Sequence, residues 1–197
     1  MEHLYYLKNE FNNLDLINDS FTDQPFSIHI DLEPNLYQLD DFDEINTQYF
    51  DNVYTRAMDL FDDTFENHEH LYFVTVVRSE KSLQKPIGIY NKYIKGLNKY
   101  KLKTKKFEDE DEQINQYSLA CQKQDLDYKN IIKAMCNQDF PELMPRFRNK
   151  LNRYPQLYFI NTDRGIILHI YDDRGAFILF NNAREHKAFR EKYAKED

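Results

Sequence analysis

The chain has 197 residues, a formal net charge of -8, 41% apolar residues, 15 Phe, 15 Tyr and no Trp. That length suits one domain whose core is built mainly from Phe, Tyr, Ile and Leu, and this apolar and aromatic content argues against intrinsic disorder. The acidic balance disfavours a dedicated nucleic-acid binder, whose phosphate contacts need clustered Lys and Arg, and suits a basic protein partner.

Two cysteines, Cys121 and Cys136, are too few for a disulfide framework. Lying beside apolar neighbours, Ala120 and Met135, they read as buried, reduced thiols of a cytoplasmic protein. The opening MEHLYYLKNEF has early acidic residues and no uninterrupted apolar stretch of signal-peptide length. No apolar run approaches the ~20 residues of a membrane span, so no membrane association is expected.

In chain order, FSIHIDL alternates, with Phe26, Ile28, Ile30 and Leu32 on one face and Ser27, His29 and Asp31 on the other. It predicts a half-buried strand. From Thr47 to Phe65 the period changes: Phe50, Val53, Tyr54, Ala57, Met58 and Phe61 form the apolar stripe of an amphipathic helix. LYFVTVV, Leu71 to Val77, is nearly continuous and rich in β-branched residues, as in a strand near the middle of a sheet.

Lys92, Lys95, Lys99, Lys101, Lys103, Lys105 and Lys106 then run into Glu108 to Glu112, and this block of opposite charges predicts a flexible connection or an exposed helix end over 92–113. A strand is expected over Ile114 to Gln122. A helix capped by Asp127 and carrying Tyr128, Ile131, Ile132, Met135 and Cys136 at helical spacing follows it. Between Pro141 and Pro155, the spacing of Leu143, Phe147 and Leu151 permits one short helix.

The last third carries three apolar runs, QLYFI, GIILHIY and GAFILF, separated by Thr162-Asp163-Arg164-Gly165 and Asp172-Asp173-Arg174-Gly175. This is a β-meander pattern in which Gly165 and Gly175 are expected to supply positive φ. A helix from Asn182 to Tyr193 places His186, Phe189 and Tyr193 on one face. The class is therefore α+β: a single domain over 1–197, a mostly antiparallel sheet and helices packed on it.

The second turn is the leading chemical candidate. His169 and Tyr171 share a strand face, and Asp172 and Asp173 follow, so the four could carry acid–base chemistry or hold a divalent ion. Equally, an Asp opening a turn, a Gly closing it and Arg174 pairing with the carboxylates describe a structural hairpin, which is the preferred reading. A third possibility is an internal clamp in which Arg56 and Arg174 hold Asp172 and Asp173, tying the first long helix to the hairpin. His68 and His70 are spaced for a metal only on an extended strand and lack completing ligands, and His29 is expected to be solvated or hydrogen-bonded.

Acidic sets at Asp40, Asp41, Asp43 and Glu44, and at Asp59, Asp62, Asp63, Glu66 and Glu69, are ordinary solvated surface or a face for a basic partner. The chain lacks a phosphate-binding loop, Gly-x-Gly-x-x-Gly and Gly-x-Ser-x-Gly, and has four glycines in all. No cofactor or metal is expected.

YFIN, then ILHIYDDRG, then a closing amphipathic helix resembles an uncharacterised bacterial domain-of-unknown-function family common in Firmicutes, whose members end in a His-x-Tyr-Asp-Asp-Arg-Gly hairpin and a helix. RAMDLF, Arg56 to Phe61, and LDYKNIIKAMCNQDFPELMP resemble two further helices of that family, so the resemblance spans most of the chain. Ser27 stands where the family tends to carry Arg, and Phe177 where an acidic residue tends to follow the hairpin glycine. The resemblance implies a fold and carries no activity. The expected function is a non-enzymatic binding protein, an immunity or inhibitor protein neutralising a basic toxin or effector through an acidic face. The alternative is a small hydrolase or nucleic-acid-processing enzyme using His169, Tyr171, Asp172 and Asp173.

Overall fold

The computed structural model describes residues 1–66, 70–80, 88–96, 98–109, 112–147 and 154–193. Five helices and seven strands follow in the order α1 (Glu2–Glu10), β1 (Ser27–Asp31), α2 (Thr47–Phe65), β2 (His70–Ser79), α3 (Ile89–Tyr93), β3 (Lys103–Asp109), β4 (Glu112–Gln122), α4 (Tyr128–Cys136), β5 (Gln156–Asn161), β6 (Ile166–Ile170), β7 (Gly175–Phe180) and α5 (Ala183–Tyr193). The strands form one sheet ordered β1-β7-β6-β5-β2-β4-β3, and all neighbouring pairs are antiparallel. The α+β class and the C-terminal meander are as the sequence indicates.

Both faces of the sheet are covered. On one, α2 lays Val53, Ala57 and Phe61 against Ile28, Ile30, Leu168 and Ile170, with α4 and α5 beside it. On the other, Leu7 of α1 and the segment through Phe11, Leu14, Leu16, Ile17 and Phe21 cover Val74, Val76, Ile160, Ile167 and Leu179. Two covered faces explain why β2, β5 and β6 read as continuous apolar runs rather than alternating ones. α1 is a helix that periodicity does not announce, because it buries only His3 and Leu7.

Local chemistry sets the helix ends. Asn46 Oδ1 accepts the Tyr49 amide at 3.3 Å and starts α2, and Asn182 Oδ1 accepts the Glu185 amide at 2.9 Å and starts α5. Asp127 occupies the cap position of α4, but its carboxylate accepts from Asn130 Nδ2 at 2.8 Å rather than from a backbone amide. Residues 141–147 form turns, not the expected short helix, and the remainder of that helix, with Leu151, lies outside the described residues.

The lysine-to-acid segment contains an edge strand, β3, paired along its length with β4, where a connection or helix end was expected. Lysines on an edge strand disfavour pairing with other chains, so the charge run is compatible with strand. Gly165 has a φ of +67° and closes the β5–β6 turn as expected. Gly175 does not have positive φ: it opens β7, and its missing side chain answers to close approach instead.

Candidate functional site

The β6–β7 hairpin distributes its motif to opposite sides of the sheet. His169 is 8% exposed, its Nδ1 donates to the Leu157 carbonyl at 2.9 Å, and its ring stacks on Tyr158 with centroids 4.6 Å apart. Burial lowers its pKa to about 4, against a smaller opposing effect of the Leu157 carbonyl. The imidazole is thus a neutral core group on the face covered by the 11–21 segment.

Tyr171 lies on that same face and meets a residue far away in sequence. Its hydroxyl lies 2.8 Å from His29 Nε2, and the two rings stack with centroids 5.8 Å apart. His29 Nδ1 is 3.7 Å from Asp31 Oδ1. A Cβ at Gly175 would approach Tyr171 Oη to 2.4 Å and His29 Nε2 to 2.9 Å, so glycine makes room for this pair. Burial raises the Tyr171 pKa, which opposes formation of a nucleophilic phenolate.

The carboxylates turn the other way. Asp172 Oδ1 accepts the Arg174 amide at 2.8 Å and Oδ2 accepts Arg174 Nε at 2.9 Å, a turn closed by its own arginine. Asp173 Oδ2 accepts from Tyr49 Oη of α2 at 2.8 Å and from Gln38 Nε2 at 3.1 Å. Burial raises the Asp173 pKa, while the Tyr49 and Gln38 hydrogen bonds oppose that rise. Asp139, exposed just beyond α4, joins them, the three offering oxygens within 4.8 Å of one another.

His169 and Tyr171 therefore do not converge with Asp172 and Asp173. The tie between α2 and the hairpin is Tyr49 to Asp173. Arg56 instead donates Nη2 to the Tyr193 carbonyl at 3.4 Å. Arg174 pairs with Asp172 two residues away, a contact within the turn that does not reach α2.

The acidic sets also separate. Asp40 Oδ1 accepts the amides of Phe42 and Glu44 at 2.9 and 3.0 Å, so Asp40 organises its own loop, with Asp41, Asp43 and Glu44 exposed around it. Glu66 ends α2 with a φ of 21°. Asp59, Asp62 and Asp63 instead border a groove of about 1130 Å³ between α2, the end of α5 and β1. Asp31 and Glu33 join them there, along with the cations Arg56 and Lys192. Asp63 is held by Lys192 and the Tyr193 hydroxyl, Asp62 by Lys123 at 2.8 Å, and Glu33 by Asn52 Nδ2 at 2.6 Å.

Asp31 and Glu33 carry no signal of their own in the sequence beyond an outward position on a strand and a place just after it. His68 and Glu69 lie outside the described residues, and His70 is the exposed first residue of β2. Cys121 and Cys136 are buried free thiols. Burial pushes Cys121 up to about 12 and raises Cys136 as well, so neither is a reactive nucleophile. Among the described residues no helix is long and apolar enough to cross a membrane.

Comparison with known proteins gives a family and no ligand. A family model described as a domain of unknown function, DUF3885, matches residues 4–195. The chain belongs to the DUF3885 family. It is 31% identical over 204 residues to the uncharacterized protein YnaE of Bacillus subtilis, a match covering 98% of this chain and 95% of YnaE. No solved structure matches it. The Firmicute family expected from the sequence is thereby established, and this DUF3885 chain offers two places for chemistry: the acidic groove and the three-carboxylate end of the hairpin.

Proposed function

We propose that the protein is a non-enzymatic binding protein, of the immunity or inhibitor kind, that holds a basic protein partner such as a toxin or effector against the acidic groove. The observation that supports it is the lining: Asp31, Glu33, Asp59, Asp62 and Asp63 border one concave surface along with Arg56 and Lys192, while Lys123 pairs with Asp62. A concave surface of one dominant sign focuses the field of its charges, raising the encounter rate with a basic partner and disfavouring acidic ones. The net charge of -8 acts in the same direction at longer range.

The test is affinity capture from the native host at low salt with the tagged wild type and with an Asp31→Lys, Asp59→Lys double variant. The expected result is one stoichiometric basic protein, retained by the wild type, released by high salt and lost in the variant. A partner that both forms retain equally, or no partner, would overturn the proposal.

A second reading, hydrolysis or nucleic-acid processing assisted by a divalent cation, has one observation in its favour, the proximity of Asp139, Asp172 and Asp173. Against it, Asp172 is engaged by Arg174 and Asp173 by Tyr49 and Gln38. Under this reading Mg²⁺ or Mn²⁺ raises the melting temperature of the wild type and not of Asp139→Asn. No shift with either ion sinks it.

A further inference from the structure

The groove contains more than charge. His29, Ile30, Asp31 and Leu32 all border it, and they are consecutive. Successive side chains of a strand point to opposite faces, so a groove that touches all four runs along the strand's edge. β1 stands at the end of the sheet and pairs with β7 alone among the described strands.

Two hydrogen bonds fix the phase of that ladder. The Phe180 amide donates to the Phe26 carbonyl at 3.0 Å, and the Leu32 amide donates to the Arg174 carbonyl at 2.9 Å. In an antiparallel pair such bonds fall on alternate residues, so Phe26, Ile28, Ile30 and Leu32 turn their backbone groups toward β7. His29 and Asp31 turn theirs away from it, along the groove. The opposite edge of the sheet, β3, carries Lys103, Lys105 and Lys106, whereas β1, Ser-Ile-His-Ile-Asp, has no lysine. Lysine guards a sheet edge against added strands, and here only one edge has that guard.

We propose that, given the basic partner inferred above, this groove takes an extended segment of that partner as a strand added to the open edge of β1. Backbone hydrogen bonds to His29 and Asp31 supply the pairing and are indifferent to sequence. Selectivity comes from the walls. Alternate side chains of the added strand face α2, where Asp59 stands beside Asp62 and Asp63, themselves held by Lys123 and by Lys192 with Tyr193. A segment with Lys or Arg at every second position places a cation at Asp59 and can exchange with the internal lysines at the other two. β1 spans about 17 Å, so the footprint is a segment of roughly five to seven residues.

The probe is a capped heptapeptide, Thr-Lys-Val-Lys-Thr-Lys-Val, titrated calorimetrically into the full chain at low salt. Two versions are N-methylated, one on the odd and one on the even residues, which removes backbone donors from one edge at a time while keeping charge. The expected result is saturable binding of the plain peptide, at least tenfold weakening by one methylation set, little effect of the other, and at least tenfold weakening by Asp59→Lys. Equal binding of all three peptides would overturn strand addition and leave the acidic groove as the binding surface. Failure of all three, with a partner still captured by the wild type and lost in the Asp31→Lys, Asp59→Lys variant, would also overturn strand addition alone; failure of both would overturn the groove reading with it. A concentration-dependent dimer abolished by Lys105→Glu would assign the edge to a second copy of the chain and overturn the assignment to a partner.

Discussion

A Cβ at position 175 would collide with the hydroxyl and ring of Tyr171 and with His29 Nε2, so at this site a single hydrogen atom in place of a side chain decides whether a cross-strand pair can form. Gly175→Ala is expected to cost about 1–3 kcal/mol through overpacking. In a Tyr171→Ala background the same change should cost much less, and a double-mutant cycle by urea denaturation measures the difference. The buried imidazoles give a second residue-scale expectation. His3 is fully buried and His169 nearly so, and burial lowers both to about 4 from an ordinary 6.5. Below pH 6.5 the unfolded chain takes up protons at these positions that the folded chain refuses. Stability therefore falls as pH drops from about 6.5 to about 4, by about 3 kcal/mol for each histidine, and their contribution levels off below that. Urea midpoints between pH 7 and 4 should flatten in His3→Gln and in His169→Gln relative to the wild type.

At the scale of elements, the joint between α2 and the β6–β7 hairpin rests on a tyrosine. Tyr49→Phe removes a donor from the buried Asp173 carboxylate and is expected to cost about 1–3 kcal/mol, measured by chemical denaturation. Asp172 and Asp173 were adjacent and legible as a turn with an arginine beside it, and that part of the reading survives in the Asp172–Arg174 pair. The long-range partners were not legible. Tyr49 lies 124 residues from Asp173 and His29 lies 142 from Tyr171, and no periodicity within a helix or strand encodes such distances. The same holds for β3: its lysines read locally as a solvated run, and only pairing with β4 makes them one face of an edge strand.

For the molecule as a whole, the two-sided cover of the sheet is the main structural commitment. Deleting residues 1–21 would uncover Val74, Val76, Ile160, Ile167 and Leu179 together. The truncated chain is expected to lose cooperative unfolding and to bind a hydrophobic dye such as ANS strongly, both read by fluorescence; a cooperative, dye-free truncation would show that the segment is dispensable to the core.

The sequence by itself determined the α+β class, the bounds of α2, the meander, the identity of most core residues and the family. These follow from local periodicity, turn chemistry and a motif contiguous in the chain. Only the tertiary structure decided that His169 is a core group, that Asp173 answers to Tyr49, and that Asp31 and Glu33 share a groove with Asp59, Asp62 and Asp63. The open edge of β1 belongs with these. Which strand stands at the end of a sheet depends on the order in which distant strands pair, and alternating side chains are the same at an edge as in the middle.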